Sequence, residues 1–175
     1  MYKDKTDVKV TLRMKILEQN MNRTEIEHIL ASCEFFKKLG KTDISAIAGL
    51  CNVKTYEGGE YVFQQGDFGE HLYVIAQGYI HLERSLDLGK HKGSVVIEAL
   101  GKGRVTGCWS TLLDMPHILM SSATCQKPTT ILTLKGADLR QMMIGNTELG
   151  FKIMERLCFL LRDRLQATYG AMEKI

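Results

Sequence analysis

The order of apolar and polar residues divides the chain into three parts, and the first part has helical spacing. Between residues 8 and about 50, apolar residues such as Ile16 and Ile26 recur at the period of a helix. Asn22 or Thr24 is expected to cap the helix that contains the letters EIEHIL, because short polar side chains accept hydrogen bonds from the first free amides of a helix. The pattern predicts a helical lead-in.

The middle part, residues 51–134, has the rhythm of many short strands. Its segments are rich in Val, Ile, Tyr and Thr and are separated by glycine turn signals. The letters HLYVIAQGYIHL alternate inward and outward residues across a tight reversal at Gly78, which predicts a β-hairpin. We expect this part to fold into a β-sandwich or barrel.

The last part returns to helical spacing and predicts one amphipathic helix from Thr147 to Met172, which is long for a domain of this size. Its apolar stripe consists of Ile153, Met154, Leu157, Leu160, Leu161, Leu165 and Thr168. The predicted seam is the part of this stripe formed by Ile153, Leu157, Leu160 or Leu161, and Thr168. Its spacings of three and four favour a homodimer formed by a parallel helix pair. The alternative is that the helix packs back onto its own domain.

Composition and charge narrow the class of protein. The 175 residues are 45% hydrophobic and 25% charged, which is typical of one globular domain. The net charge of +3 comes from bases interleaved with acids, so no concentrated nucleic-acid-binding surface is predicted. No apolar run approaches the roughly 20 residues of a membrane span, and the start MYKDKTDVKV has no hydrophobic segment typical of a signal peptide. A cytoplasmic location is therefore expected.

The chemically reactive residues show no arrangement typical of an enzyme or a metal site. The five cysteines are an odd number without a CxxC pair, which favours reduced thiols over a disulfide framework or a zinc site. His71, His81, Cys51 and Cys108 lack a fixed spacing for haem or metal ligation. The chain has no nucleophile elbow, P-loop, HExxH or paired-carboxylate pattern. We therefore expect no catalytic residues, no metal and no cofactor.

Residues 30–165 resemble a cyclic nucleotide-binding domain of the cAMP receptor protein type. The resemblance rests on the letters FFKKLG at a helix start, the strand after YEGGEYVFQQGD and the segment GEHLYVIAQGYIHL. It implies a mainly β fold with flanking helices, a double-stranded β-helix or jelly roll, with a helical N-terminus and a long C-terminal helix. The implied parts are a helical N-terminal extension at 1–30, the β-roll at 31–145 and a dimerisation helix at 146–175.

The resemblance also bears on DNA binding. Transcription regulators of this family continue after the long helix into a winged helix-turn-helix, whereas this chain ends at Ile175. We therefore expect no direct DNA binding by that route.

Family members bind their ligand with a phosphate-binding cassette, and this chain departs from it at both charged positions. The cassette reads Phe-Gly-Glu, a short helix and then an Arg just before the next strand. The Glu holds the ribose 2′-hydroxyl, and the Arg pairs with the cyclic phosphate. Matching Gly107 to the cassette glycine puts Thr106 at the Phe position and Cys108 at the Glu position. No Arg or Lys occurs at 105–126 and no Glu at 99–147, so the resemblance implies weak or no binding of a cyclic nucleotide.

The cassette region still contains groups suited to a neutral or weakly anionic ligand. Backbone amides at 108–111 would form an anion site if they lie at a helix N-terminus. In different registers the family Arg falls on His117, Leu119 or Ser121. The candidate ligand-binding residues are Gly107, Cys108, Trp109, Ser110, Thr111, His117, Ser121 and Ser122.

Three of these residues have alternative explanations that the sequence leaves open. Trp109 either stacks on a ligand or packs inside the domain. Cys108 is a ligand contact, a redox-sensitive thiol near a helix N-terminus, or a small buried residue in the place of the Glu. His117 either replaces the Arg as a cation or lies exposed in a turn.

Two classes of function follow. The domain is either a regulatory sensor of another small ligand, or a module with a vestigial pocket that serves dimerisation or docks a protein partner. The alternative is a genuine cAMP or cGMP sensor that binds its nucleotide in a non-standard way.

Overall fold

The computed structural model describes the chain in four stretches: residues 21–87, 89, 92–115 and 117–172. The predicted helical position Ile16, together with residues 1–20 of the predicted extension, lies outside the described residues. The described stretches form five helices and eight strands. No helix within them has both the length and the apolar character needed to cross a membrane.

Two short helices, α1 (Arg23–Ser32) and α2 (Lys41–Ala48), precede the strands. Asn22 rather than Thr24 caps α1. Its Oδ1 accepts a hydrogen bond from the Glu25 amide at 3.0 Å, and the Glu25 carboxylate accepts one from the Asn22 amide at 2.8 Å. This reciprocal pair fixes the start of the helix and confirms the predicted helical lead-in for its described residues.

The strands form two antiparallel sheets of four strands each, with the orders β1-β8-β3-β6 and β2-β7-β4-β5. The strand bounds are β1 Asn52–Tyr56, β2 Tyr61–Phe63, β3 His71–Gln77, β4 Tyr79–Asp87, β5 Lys92–Gly101, β6 Val105–Thr106, β7 Ser122–Cys125 and β8 Thr129–Lys135. Sequence neighbours often lie in different sheets, which is the winding of a jelly roll. The predicted mainly β jelly roll is confirmed.

The hairpin predicted across Gly78 is wrong. Strand β3 pairs with β6 and β8, whereas β4 pairs with β5 and β7, so the reversal carries the chain from one sheet to the other. Gly78 has a φ of 99°, and a Cβ there would overlap Thr129. Alternation of apolar residues is the same on both sides of the turn whether the two strands pair or separate, so the sequence pattern does not distinguish these outcomes.

Buried side chains form two separate cores. The first lies between the β1-containing sheet and the helices, and it includes Leu30, Phe36 and Leu132. The second lies between the two sheets and includes Ile75 and Leu100. Phe63 and Leu82 of the second core lie next to the predicted cassette residues Gly107 and Cys108.

Three helices follow in the second half of the chain: α3 (Trp109–Leu112), α4 (Gly136–Gly145) and α5 (Thr147–Met172). Helix α5 has the predicted bounds. It packs on its own domain through a buried row formed by Leu149, Ile153, Leu157 and Leu160. The predicted seam is therefore wrong at Ile153, Leu157 and Leu160, because these side chains lie in the first core, and the side chain of Thr168 lies outside the described residues.

Candidate ligand pocket

A cavity of about 360 Å³ lies at one end of the second core. Phe63 and Leu82 contribute to its lining from the sheets, and Leu161 and Arg164 contribute from α5. The remaining lining residues are Thr106, Gly107, Cys108, Trp109, Leu113, His117, Ile118, Leu119, Met120 and Ser121. Small-molecule sites commonly have volumes in this range and mostly apolar walls. The cavity therefore coincides with the region that the cassette pattern singled out.

A tight turn at Gly107 positions the start of α3. Gly107 has a φ of 77°, and a Cβ at this position would overlap the backbone carbonyl of His71. Only glycine fits both the left-handed backbone and this close approach. The turn places Cys108 and Trp109 at the edge of the cavity, as their presence in the lining shows.

Two of the four amides expected to form an anion site at the start of α3 bond within their own turn. The Ser110 amide donates to the Gly107 carbonyl at 3.1 Å, and the Thr111 amide donates to the Cys108 carbonyl at 3.1 Å. The Ser110 hydroxyl also donates to the Gly107 carbonyl, at 2.8 Å. Since these groups bond within their own turn, they are not available to a ligand, and α3 itself has only four residues.

Five of the eight predicted residues line the cavity, and three lie elsewhere. Ser110 lines a second cavity, of about 560 Å³. Thr111 is fully buried, and its hydroxyl has no hydrogen-bond partner among the described residues. The Ser122 hydroxyl accepts a hydrogen bond from the Gln65 amide at 2.9 Å. Strand β7 begins at Ser122, which puts Ser121 directly before the strand, and Ser121 is in the cavity lining.

The environments of Trp109 and Cys108 decide between their alternative explanations. Trp109 is 47% exposed, so the expectation that it packs inside the domain is wrong. Cys108 is only 4% exposed, as expected for a small residue in the place of the Glu. Burial raises the pKa of the Cys108 thiol to about 11, although nearby Arg164 opposes this shift. The expectation of a thiolate-prone, redox-sensitive cysteine is therefore wrong.

His117 does not lie exposed in a turn. Its side chain is half-buried, and its ring packs so closely on Gly69 that a Cβ on that glycine would overlap it. The His117 carbonyl accepts a hydrogen bond from the Gly69 amide at 2.9 Å. Both ring nitrogens are buried without a hydrogen-bond partner among the described residues. Since both nitrogens are buried, they are not accessible to a ligand in the cavity.

Sequence reasoning missed Arg164, the charged residue that α5 contributes to the cavity lining. Its Nη2 donates to the Val105 carbonyl at 2.6 Å, and its Nε lies 3.5 Å from Glu98. Arg104 contacts Glu34 and Glu98, each at 2.7 Å, and Arg164 also lies 3.9 Å from Glu34. These four side chains, here called the Arg164 network, balance two guanidinium groups with two carboxylates.

A sequence signal for Arg164 exists, although it gives no partner. Arg164 lies four residues after Leu160 and seven after Leu157, so it continues the buried row of α5. An arginine on the inward face of an amphipathic helix is expected to be paired, because isolated buried charges are costly. The partners, Glu34 and Glu98, are far away in sequence and are brought together only by the fold.

The described residues contain no group of three or more His, Cys, Asp or Glu side chains suited to a metal ion. The histidines and cysteines that raised the question of haem or metal ligation lie in different surroundings. Cys108 lines the cavity, whereas Cys51, which precedes β1, and His71 and His81, on β3 and β4, lie outside its lining.

Comparison with known proteins defines the class. The family model for the cyclic nucleotide-binding domain matches residues 53–146, which is more than half of the 175 residues. A cyclic nucleotide-binding domain from Methylobacillus flagellatus has the same fold, with a TM-score of 0.72 and 21% identity over 87% of this chain and 84% of that one. The chain belongs to the cyclic nucleotide-binding domain family.

Curated relatives are much longer than this chain. A cAMP-dependent protein kinase regulatory subunit from Mycosarcoma maydis is 24% identical over 93% of this chain and 29% of its own length. The chain spans only 12% to 37% of the length of six curated relatives that it matches. The fold also occurs in a regulatory subunit of a cAMP-independent protein kinase A from Trypanosoma brucei, solved as a mutant bound to cAMP. Its TM-score is 0.67, with 19% identity over 87% of this chain and 50% of that one.

Proposed function

We propose that this chain is a non-catalytic regulatory domain that senses a small ligand other than a cyclic nucleotide bound in the family's usual way. One observation carries the proposal: the cavity is open at about 360 Å³, but no Glu is among its described lining residues, and Cys108, on which the family Glu is expected to fall, is one of them. Arg164, the charged residue in the lining, is held by carboxylates and by a backbone carbonyl.

Loss of the family Arg bears mainly on the phosphate of a cyclic nucleotide. A charge-assisted hydrogen bond from Arg to phosphate is commonly worth about 1.5–3 kcal/mol, and an unpaired buried charge costs more than the missing bond. Micromolar binding amounts to only about 8 kcal/mol in total. For Arg164 to pair with a phosphate it would have to leave Glu98 and the Val105 carbonyl. A cyclic nucleotide would thus lose much of the binding free energy that the family's cassette provides.

The open cavity also favours a ligand-binding role over a purely vestigial pocket. Protein interiors are close-packed, and apolar side chains fill gaps where nothing else occupies them. Here Trp109 remains 47% exposed at the edge of the cavity instead of filling it. A cyclic nucleotide bound in a non-standard way is the alternative, and the names of relatives such as the cAMP-dependent protein kinase regulatory subunit favour it.

A second role, homodimerisation through α5, is favoured by a different observation. Phe151, Met154, Cys158 and Leu165 are exposed and follow one another at spacings of three, four and seven residues. We name this set the exposed row. Its period is that of a helix-pair interface, and it lies beside the buried row rather than on the predicted seam. We propose that a second copy of the chain covers it.

Restoring the two family groups tests the proposed pocket chemistry. In Cys108→Glu with Ser121→Arg, the carboxylate and the guanidinium return to the positions at the start of α3 and directly before β7. We expect calorimetry to show cAMP binding at least about tenfold tighter than for the wild type, because one charge-assisted contact is worth more than about 1.4 kcal/mol. Each single variant is the matched control. If neither this double variant nor Cys108→Glu with Leu119→Arg gains affinity, the shape of the cavity rather than its missing charges decides what it binds.

A further inference from the structure

We infer that the cavity takes an uncharged, predominantly apolar small molecule with one hydrogen-bonding group. This inference rests on the proposed function and names the ligand class of the same site. It is carried by the apolar walls, by the balanced charges of the Arg164 network and by the Ser121 hydroxyl in the lining.

The walls of the cavity are apolar and partly open to solvent. Ile118 is 60% exposed and Met120 is 68% exposed, and both line the cavity together with Trp109. Phe63 and Leu82, which belong to the second core, line it as well. Apolar side chains gathered around a concave surface are typical of ligand sites, whereas singly exposed ones carry no such meaning. A ligand with a large apolar surface would bury these side chains.

The charges around the cavity argue against a charged ligand. Arg164 is the only Arg, Lys, Asp or Glu among the described residues that line it. The guanidinium is neutralised by Glu98 at 3.5 Å and Glu34 at 3.9 Å, and these carboxylates would repel an anion brought close to it. A cationic ligand would in turn meet the guanidinium without a carboxylate in the lining. An uncharged ligand avoids both costs.

The polar groups of the lining specify one hydrogen-bonding group on the ligand. Ser121 contributes a hydroxyl to the lining, whereas both ring nitrogens of His117 are buried and are not accessible from the cavity. A hydroxyl both donates and accepts hydrogen bonds, so a hydroxyl, carbonyl or N–H group on the ligand suits Ser121.

The test uses the neutral dye N-phenyl-1-naphthylamine and the intrinsic fluorescence of Trp109, the single tryptophan of the chain. This dye is apolar, carries one N–H group and fluoresces strongly only away from water. Because Trp109 lines the cavity, energy transfer from Trp109 should quench its emission as the dye binds. We expect saturable binding of one dye molecule per chain, with both signals following the same curve.

Two methionines provide a matched pair of variants. Met120 and Met115 are both 68% exposed and lie in the same segment, but only Met120 lines this cavity. Met120→Lys should weaken dye binding about tenfold or more, since it brings a charge to an apolar wall. Met115→Lys should stay within about twofold of the wild type, as is usual for exposed substitutions away from a site. Equal losses in both variants would overturn the inference, because the dye would then bind a general apolar surface.

Competition separates failure of this inference from failure of the proposed function. If the anionic dye 1-anilinonaphthalene-8-sulfonate binds more tightly than the neutral dye, the ligand class is anionic rather than uncharged. If neither dye binds saturably and cAMP does not bind either, the inferred ligand class is wrong. The proposal that the pocket does not bind a cyclic nucleotide in the family's usual way would still hold. Displacement of the neutral dye by micromolar cAMP would overturn the proposed function itself.

Discussion

The Cys108 thiol lies at the start of α3 with 4% of its surface exposed. Burial raises its pKa to about 11, so at pH 8 only about one thiol in a thousand is ionised. The sequence itself shows that a small residue follows Gly107. It does not reveal how deeply that residue is buried, because burial depends on Arg164 and other groups from distant parts of the chain.

Thiol reactivity tests this view of Cys108. Among the five cysteines, Cys158 is exposed and Cys51 is half-buried with a pKa raised to about 12 by burial. We expect one fast-reacting thiol in a titration with a disulfide reagent at pH 8. Cys158→Ser should remove the fast phase and Cys108→Ser should preserve it. A fast phase that disappears in Cys108→Ser would contradict the buried, neutral thiol.

At the scale of elements, the Arg164 network joins α5 to the roll. Glu34 follows α1, Glu98 lies on β5, Arg104 directly precedes β6, and Arg164 lies on α5. The Glu34 carboxylate also accepts a hydrogen bond from the Val105 amide at 2.9 Å. Contacts to α5 and to the cavity lining thus depend on the same four side chains, which links the position of α5 to the pocket.

Removing the charge of Glu98 tests the energetic weight of this network. Glu98→Gln weakens the contacts to Arg104 and Arg164 at once. We expect a loss of about 1–2 kcal/mol in the free energy of unfolding, less than for fully buried pairs because water screens half-buried ones. Urea unfolding measures it. The same substitution in the exposed pair of Glu148 and Lys152, Glu148→Gln, is the matched control and should cause no measurable change. Equal effects in the two variants would contradict a structural role for the network.

The sequence of α5 determines where the helix begins and ends but not which of its faces is buried. Its bounds, Thr147–Met172, follow from its own periodicity. Its orientation does not, because the buried row and the exposed row share the same helical period and differ only by a rotation about the helix axis. The predicted apolar stripe mixed the two rows, because only the first core determines that Ile153 and Leu157 face inward. Met154 and Leu165, which belong to the same stripe, are exposed.

At the scale of the whole molecule, the exposed row on α5 predicts a homodimer. The change Leu165→Glu puts a charge on the row, where Leu165 is 53% exposed. We expect sedimentation to show a dimer for the wild type at tens of micromolar and a monomer for this variant. Gln166→Glu, an exposed neighbour outside the row, is the matched control and should remain a dimer.

Cys158 supplies an independent check on the same dimer. It lies in the exposed row between Met154 and Leu165, so a parallel helix pair would bring the two copies of Cys158 together. Mild oxidation should then give a covalent dimer that Cys158→Ser prevents. A wild type that remains monomeric in sedimentation and is not cross-linked would contradict the dimer.

The overall fold was largely predictable, and the site only in part. Glycine turns, strand composition and the Asn22 cap are local features, and they predicted a sandwich or barrel between helices. The resemblance to the family implied that these strands form a jelly roll. The Gly107 turn likewise indicated the part of the chain that lines the cavity. Other features depend on contacts between segments that are distant in sequence, so no local stretch of the sequence predicts them. They are the change of sheet at Gly78, the burial of Thr111 and the position of Arg164 in the cavity lining.

Calorimetric titration of the wild-type chain with cAMP tests the central claim most directly. The claim is that, without the cassette Glu and Arg and with Arg164 neutralised by Glu98 and Glu34, the pocket does not hold a cyclic phosphate. We predict a dissociation constant weaker than about 100 μM, equivalent to about −5.5 kcal/mol. A micromolar dissociation constant, at one site per chain, would contradict it.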